Sequence, residues 1–480
     1  MSEETFFHLA GVDIEDQRCG GAACFVARHR NPTRWAQADG DQPRVHCLGK
    51  CHLAPAVATD AVRPHVGIDA PEAVVLGRIA QGRAWSLEAY RNDGGFSGLE
   101  RARSMTGEAV VAEVDASGLK GRGGAAFPVG RKWRAAQAQP SPQKYVVVNA
   151  DEGDPGAYID RVLLEEDPHA VIEGLAIAAL AVGATRAYLY VRKEYPLARE
   201  RIEAALVQAR AAGVLGDALA GVGQHLDVAV VEGEGSYVCG EETALLNAIE
   251  GRRPEVRVRP PYPVERGLFG RPTVVNNVET LASIPWILRN GAAAYSAMGT
   301  PTSSGTKVVS LNSLFRRPGL YEVEFGLPVR DIVERLGGGL SEGSIAGLLI
   351  GGPLTGVLPP SLLDTPFDFE SLRAVGCEVG HGGMVAFDEN TSILQLMHHV
   401  FRFGAYESCG KCAPCREGAG MVEAQLGAAL GGVATSDDLE WRDIVDALAA
   451  TSLCGHGTGM AAFARSVINH YGEELDRCLT

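Results

Sequence analysis

At 480 residues with 46% hydrophobic side chains, the chain is too long for one ordinary core, so three or four globular domains are expected. A formal net charge of −15 with no Lys/Arg-rich block argues against nucleic acid or an anionic membrane surface as the main partner. The acidic opening Met1–His8 lacks an apolar core of signal-peptide length, and the longest apolar run, about Val171–Val182, is interrupted by Gly174 and too short to cross a bilayer, so a cytoplasmic protein with no membrane span is expected.

Eleven cysteines, eight of them in tight spacings, fit a reducing compartment and metal sites better than disulfides. The first segment, 1–84, holds Cys19 and Cys24 as C-x4-C and Cys47 and Cys51 as C-x3-C. Small residues between the ligands let backbone N–H groups reach cluster sulfurs. The order is not that of plant-type ferredoxins. It resembles the thioredoxin-like [2Fe-2S] ferredoxins, in which Cys-Leu-Gly-x-Cys is followed by an Ala-Pro, here Ala54-Pro55, although the insert between the pairs is shorter than is usual there. That resemblance implies a thioredoxin-like sheet and a [2Fe-2S] cluster; structural zinc is the alternative. His46 and His52 flank the ligands, and with four cysteines at hand they are given no function. Ala70–Gly82 has helical spacing, and the glycine-rich Arg91–Gly95 reads as a linker turn.

In the second segment, 85–300, a glycine-rich basic loop carries Gly121, Arg122, Gly123, Gly124, Phe127 and Lys132. Its glycines permit positive φ and let N–H groups approach a phosphate, which Arg122 and Lys132 would neutralise. The G-x-G-x-x-A match at Gly121–Ala126 is weak as a Rossmann fingerprint, because the residues before it are too polar for a buried strand. Lys144–Val148 predicts a buried strand that delivers Asn149, Asp151, Glu152 and Asp154 to a loop at its C-terminal end, where ligands sit in α/β sheets. Val228–Val231 repeats the arrangement, leading to Tyr237, Cys239, Gly240, Glu241 and Glu242 and then a helix, Ala244–Glu250. Such carboxylates accept hydrogen bonds from ribose, ribityl and amide donors; a divalent metal site or plain solvated turns are the other readings. Cys239 reads as packing rather than chemistry.

The third segment, 301–385, predicts a strand from Lys307, a turn at Arg317–Gly319 into a second strand, and a helix over Pro328–Leu336. Gly351-Gly352-Pro353 reads as a turn, and the segment offers packing rather than chemistry. The fourth, 386–480, predicts four helices, Ser392–Phe403, Gly418–Leu430, Asp438–Ala449 and Gly459–Tyr471. Between the first two lies Cys409-x-x-Cys412-x-x-Cys415, and Cys454 follows at a distance. This is how a [4Fe-4S] cube usually takes its ligands, with structural zinc as the alternative. His398, His399, His456 and His470 read as packed or surface residues, and Cys377 and Cys478 are unassigned.

Taken in order, Gly-Leu-Lys-Gly-Arg-Gly-Gly-Ala-Ala-Phe, Asn-Ala-Asp-Glu-Gly-Asp-Pro-Gly, Cys-Gly-Glu-Glu-Thr-Ala-Leu-Leu-Asn, Pro-Thr-Val-Val-Asn276-Asn277-Val-Glu-Thr280 and Glu-Ser-Cys-Gly-Lys-Cys resemble the NADH-oxidising flavoprotein subunit of respiratory complex I. The same subunit serves soluble NAD-dependent formate dehydrogenases and NAD-reducing hydrogenases. The resemblance implies an α/β multidomain chain: a thioredoxin-like ferredoxin domain (1–84), a Rossmann-like FMN and NADH domain (85–300), a β-grasp domain (301–385) and a four-helix bundle with the [4Fe-4S] cluster (386–480).

It also implies roles. Gly121, Arg122, Gly123, Gly124 and Lys132 would cradle the FMN phosphate; Asn149, Asp151, Asn276 and Asn277 would hold ribityl chain and ring. Gly240 and Glu241 would line the flavin, Glu152 and Glu242 would position nicotinamide, and Asp154, Tyr237 and Thr280 complete the cofactor set. Phe127 and Tyr262 would sandwich the adenine of NAD, with Asp154 and Arg259 beside it. The expected reaction moves hydride between NAD(H) and FMN and passes single electrons through the cube, with the [2Fe-2S] centre as a second acceptor. No ligand set for molybdenum or nickel is evident in the sequence, so a catalytic large subunit with further iron–sulfur centres would handle the second substrate in a hetero-oligomer. A cysteine-bearing domain fused at the N-terminus, without ferredoxin repeats at the C-terminus, leans toward a molybdenum or tungsten formate dehydrogenase over a hydrogenase. A zinc-binding scaffold without catalysis and a free-standing diaphorase are the rivals.

Overall fold

The computed structural model describes residues 8–15, 17–36, 45–217, 219, 223–433 and 441–479. Met1–Phe7, from which targeting was read, lie outside them, as do Asp438–Glu440 of the third expected C-terminal helix and the side chain of Cys478. The N-terminal segment is mostly irregular: a short helix α1 (Ala22–Val26) follows Cys19, and one strand, β1 (His65–Asp69), precedes a single helical turn at Gly77–Ala80.

A helix, α2 (Gly107–Ala116), leads into the glycine loop, and α3 (Val129–Gln137) leaves it. The loop therefore joins two helices, as the polar residues before it required. Strands β2 (Tyr145–Ala150), β3 (Arg186–Arg192), β4 (Asp227–Gly233) and β5 (Thr273–Asn277) form a parallel sheet in the order β4-β3-β2-β5. Val146 and Val148 face one core while Val147 faces another with Cys239 and Leu245, and each fully buried valine contributes about 1.5–3 kcal/mol. After β2 the chain moves outward to β3 and β4, then returns for β5 on the other flank. The strand order thus reverses between β2 and β5, and the crevice at their C-terminal ends is the position where open α/β sheets bind ligands. Behind the sheet, Pro168–Val182 is a helix buried nearly all round, which explains its unbroken apolar run.

A second, mixed sheet contains β6 (Thr306–Leu311), β7 (Gly319–Glu324), β8 (Ile345–Ile350), β9 (Val357–Leu358) and β10 (Gly383–Asp388). Its order is β1-β7-β6-β10-β8-β9, with β6 and β7 an antiparallel hairpin and β10 parallel to β6. The edge strand β1 comes from the N-terminal segment and runs parallel to β7, His65 opposite Gly319. The buried Glu322 carboxylate, on β7, accepts N–H bonds from Val74 (2.7 Å), Val75 and Leu76 (2.8 Å), fastening the chain beyond β1. This corrects the expected free-standing thioredoxin-like domain at 1–84. Among the described residues that segment has one strand, and it completes the neighbouring sheet. Four helices close the chain: α4 (Ile393–Tyr406), α5 (Ala419–Leu430), α6 (Trp441–Thr451) and α7 (Gly455–Leu479).

Candidate functional site: a cleft between two cysteine clusters

The glycine loop folds back on itself, Gly121 N–H donating to Phe127 O (2.9 Å) and Val129 N–H to Leu119 O (2.9 Å). Gly124 has φ +107°, and a Cβ at Gly123 would stand 3.0 Å from Asn277 Cβ, so side chains are excluded where the loop lies against the end of β5. Lys132, on α3, donates to Val275 O (3.0 Å) and lies 3.6 Å from Glu242. Arg259 reaches the same carboxylate at 3.3 Å. Phe127 and Tyr262 are half exposed, 48% and 52%, leaving aromatic faces available on a surface where such groups are normally covered.

At the strand ends, Asn149 Nδ2 donates to Gly240 O (2.8 Å), tying β2 to the Gly240–Glu242 segment. Asn276 Oδ1 accepts from Trp133 Nε1 (2.9 Å), and Asn277 Oδ1 from Thr280 N–H (3.2 Å). Glu241 caps the helix Glu242–Ile249 through Thr243 and Ala244 N–H, both at 2.9 Å. Its other oxygen is buried without a hydrogen bond, 3.7 Å from Arg259, and Asp151 Oδ2 is buried without a hydrogen bond. Burial holds the Asp151 carboxyl well above the usual carboxylate range, against the pull of Arg192. Orphaned acceptors beside glycine backbone and a buried amide-rich strand end fit a polyhydroxylated phosphate ester such as FMN.

Two expected contacts are corrected. The Arg122 guanidinium is 1% exposed and donates away from the loop, to Tyr295 Oη (2.7 Å), Ser304 O (2.9 Å) and Lys120 O (3.0 Å), while its backbone N–H donates to Thr280 Oγ1 (2.9 Å). It braces the loop from behind, and Lys132 is the basic side chain of the loop region that stands at the Glu242 edge. Glu152 is wholly buried: its carboxylate accepts N–H bonds from Ile159 (2.6 Å), Asp160 (3.0 Å) and Arg161 (3.1 Å) and meets His381 at 3.2 Å. It caps a helix and presents no surface to nicotinamide; Glu242 and Asp154 remain at the cleft. Tyr237 Oη donates to Asp154 (2.7 Å), and its N–H donates to Glu407 (2.9 Å) beside the C-terminal cysteines.

Cys409, Cys412, Cys415 and Cys454 are unpaired thiols gathered at the start of the helical region. Cys454 stands just before α7 and faces the N–H groups of His456 and Gly457; burial raises it to about 11 and Cys415 to about 12 as thiols, the penalty a metal removes by binding thiolate. Cys409 packs with Cys454 against Val238 and Ala244, on either side of the Gly240–Glu242 segment. Cys412 and Cys454 are part-exposed. In the N-terminal set Cys19, Cys24, Cys47 and Cys51 are 4%, 0%, 0% and 2% exposed, with Cys47 in sulfur hydrogen-bond range of both Cys19 and Cys51. Gly49 N–H donates to Cys47 Sγ and Ala56 N–H to Cys24 Sγ, both at 3.3 Å. Of these two donors Gly49 lies between the cysteines of its pair, and Ala56 lies beyond Cys51. His52 Nε2 lies 2.8 Å from Val62 O, and burial lowers the ring to about 4; His399 is half-buried in a stack on Phe25, 4.2 Å between centroids.

Arg192 joins this set to the cleft and was not legible in the sequence. Wholly enclosed, it donates to Cys47 O (3.0 Å), to Glu152 O and to Glu194, and stands 3.8 Å from Asp151. Tyr195 donates to Glu152 (3.2 Å), and its ring would strike any Cβ at Gly49.

Residues 114–286 match the Nuo51 FMN-binding domain, and residues 395–478 match the NADH-ubiquinone oxidoreductase-F iron-sulfur binding region. The second F-type subunit of the NADH-quinone oxidoreductase of Rhizobium meliloti is 39% identical over 81% of this chain and 93% of its own length. The chain belongs to the Nuo51 family of complex I. A further relative, the NADP-reducing hydrogenase subunit HndC of Solidesulfovibrio fructosivorans, is 42% identical over 82% of this chain and 80% of its own. The crystal structure of an NAD+-reducing [NiFe]-hydrogenase in the H2-reduced state has a chain that superposes with TM-score 0.83 at 30% identity, covering 97% of this chain and 84% of that one. Members of the Nuo51 family are oxidoreductase subunits, and the FMN and four-iron cluster expected from the sequence agree with the two matched regions. Among the described residues no helix is long and apolar enough to cross a membrane.

Proposed function

We propose that the chain is an NAD(H):FMN oxidoreductase module that exchanges electrons with a partner subunit through iron–sulfur centres. The observation that carries this reading is the convergence of three features on Val238–Ala244: the crevice between β2 and β5, the Lys132–Glu242–Arg259 edge, and the packed Cys409–Cys454 pair. FMN, when bound, supplies the exchange between a hydride and single electrons. The chain's own residues do the rest. Glycine-loop N–H groups and Lys132 hold phosphate; Asn149, Asp151, Asn276 and Asn277 orient the remainder. Phe127 and Tyr262 offer faces to an adenine, while Glu242, beside Lys132 and Arg259, presents an acceptor to ribose or amide groups. Cys409, Cys412, Cys415 and Cys454 would hold a [4Fe-4S] cube, and Cys19, Cys24, Cys47 and Cys51 a [2Fe-2S] centre. Anaerobic titration tests this: NADH should bleach the flavin absorbance and then develop a reduced-iron signal, and a colourless, zinc-containing preparation would refute it.

For the partner, we favour a molybdenum or tungsten formate dehydrogenase on the grounds of the N-terminal cysteine segment. An NAD-reducing hydrogenase is the second reading, supported by a fold match that extends over 97% of the chain and so beyond the part shared with the sequence relatives. NADH formation by the co-purified complex from formate, or from hydrogen, separates them.

A further inference from the structure

We propose that His381 is a positioning residue of the flavin site: bridging Glu152 and Asp160, it fixes the amide of Asn277 and, through Thr280, the backbone of the glycine loop. This rests on the reading of the cleft as an FMN site. His381 Nε2 lies 3.2 Å from Glu152 Oε1 and 3.1 Å from Asp160 Oδ2, and the three side chains are 7%, 0% and 1% exposed. Asp160 Oδ2 also accepts from Asn277 Nδ2 (2.6 Å), whose Oδ1 accepts from Thr280 N–H (3.2 Å), while Thr280 Oγ1 accepts from Arg122 N–H (2.9 Å). The first link is the charge contact of the ring with the two carboxylates, and each hydrogen bond from Asp160 onward leaves the next group one orientation, so the placement of one histidine sets the loop that Gly123 presses against Asn277. The histidine's own loop is adjacent, because a Cβ on Gly124 would meet Gly380 at 3.5 Å.

One imidazole between two sealed carboxylates holds a proton more readily than a metal. Both Glu152 oxygens already accept main-chain N–H groups, and only three ligand atoms converge. The groups facing the ring are Glu152 and Asp154 from one loop, Asp160 from the next helix, and Lys307, which donates to His381 O (2.9 Å) and is itself paired with Glu279. Burial opposes the ring's charge, but Asp160 and Glu152 raise it well above its ordinary range, so the ring is charged at neutral pH. Its deprotonation adds net negative charge beneath a site for an anionic cofactor.

The test is the dissociation constant of FMN for the deflavinated full-length chain, followed by flavin fluorescence from pH 7 to pH 10. At pH 7, His381→Gln should bind FMN about tenfold more weakly than wild type. Wild-type affinity should fall with rising pH, and the ratio between the two proteins should shrink. Equal affinity at pH 7 or a ratio independent of pH would each overturn the proposal; Asp160→Asn, which opens the same bridge from its other end, should weaken FMN likewise, and unchanged affinity there would overturn it should His381→Gln not fold. A stoichiometric zinc lost in His381→Gln would overturn it in favour of a metal site. Failure of wild type to bind FMN at any pH would instead refute the cleft's assignment.

Discussion

The two cysteine sets face the same cleft under opposite conditions. The N-terminal four are sealed, Cys24 on α1 and the others outside α-helix and strand, and are tied to the loop after β2 by Arg192 and Tyr195. Of the C-terminal four, Cys412, Cys415 and Cys454 stand at or in the first turn of a helix, Cys409 lies in the loop after α4, and Cys412 and Cys454 are part-exposed. Exposure suits a centre that must exchange electrons with another protein, whereas a sealed centre exchanges them within the chain. On the proposed reading of both sets as iron–sulfur centres, the contrast gives the outward route to the C-terminal set.

The largest effects should come from removing a set outright. Cys412→Ser should cut electron delivery to the partner by more than about 100-fold, beyond the range of changes around an intact site, while NADH still bleaches the flavin. Cys47→Ser should leave that delivery largely intact but lower the melting temperature, because ligand binding there is folding energy for a segment with little secondary structure. If the two variants trade outcomes, the assignment of routes is reversed. Next, Arg192→Met strips a buried cation from Glu194 and Asp151 and should destabilise by about 3–5 kcal/mol in urea denaturation, with loss of N-terminal iron before C-terminal iron.

A smaller effect tests how the N-terminal segment is held on α4. Burial lowers His399 to about 3 from an ordinary 6.5, so the folded state prefers it neutral. That preference contributes nothing above the ordinary value and costs stability as pH falls below it, about 2 kcal/mol by pH 5. His399→Phe should keep the stack on Phe25 and lose this acid sensitivity in thermal melts. The smallest effect is that of Phe127→Ala, which should raise the KM for NADH several-fold, as one lost aromatic stack of about 0.5–1.5 kcal/mol would, with iron content unchanged.

What could be read from the sequence was whatever is local. Glycine loops, strand ends and cysteine spacings are short-range, and β2, the loop after it and the C-terminal helices stand where periodicity placed them. What escaped depends on contacts between distant segments. Arg192 resembles any strand-end arginine until Cys47 and Glu152 close on it. His381 is 229 positions from Glu152 and carries no local signature. Glu152 was misread because its neighbours face the cleft: at a strand's end adjacent side chains diverge, and its carboxylate found the free N–H groups of the next helix instead. Arg122 was misread similarly, a basic residue in a phosphate loop whose charge serves the loop's own backing.

The pairing of β1 with β7 has a consequence for anyone dissecting the molecule. A piece ending near residue 84 would carry away an edge strand and leave β7 with a row of unanswered backbone donors and acceptors, a template for aggregation in both fragments. The cysteine-bearing front of this polypeptide is thus no transferable cassette: grafted onto another protein it would arrive without the surface that shapes it, and limited proteolysis should liberate it only as the second sheet comes apart.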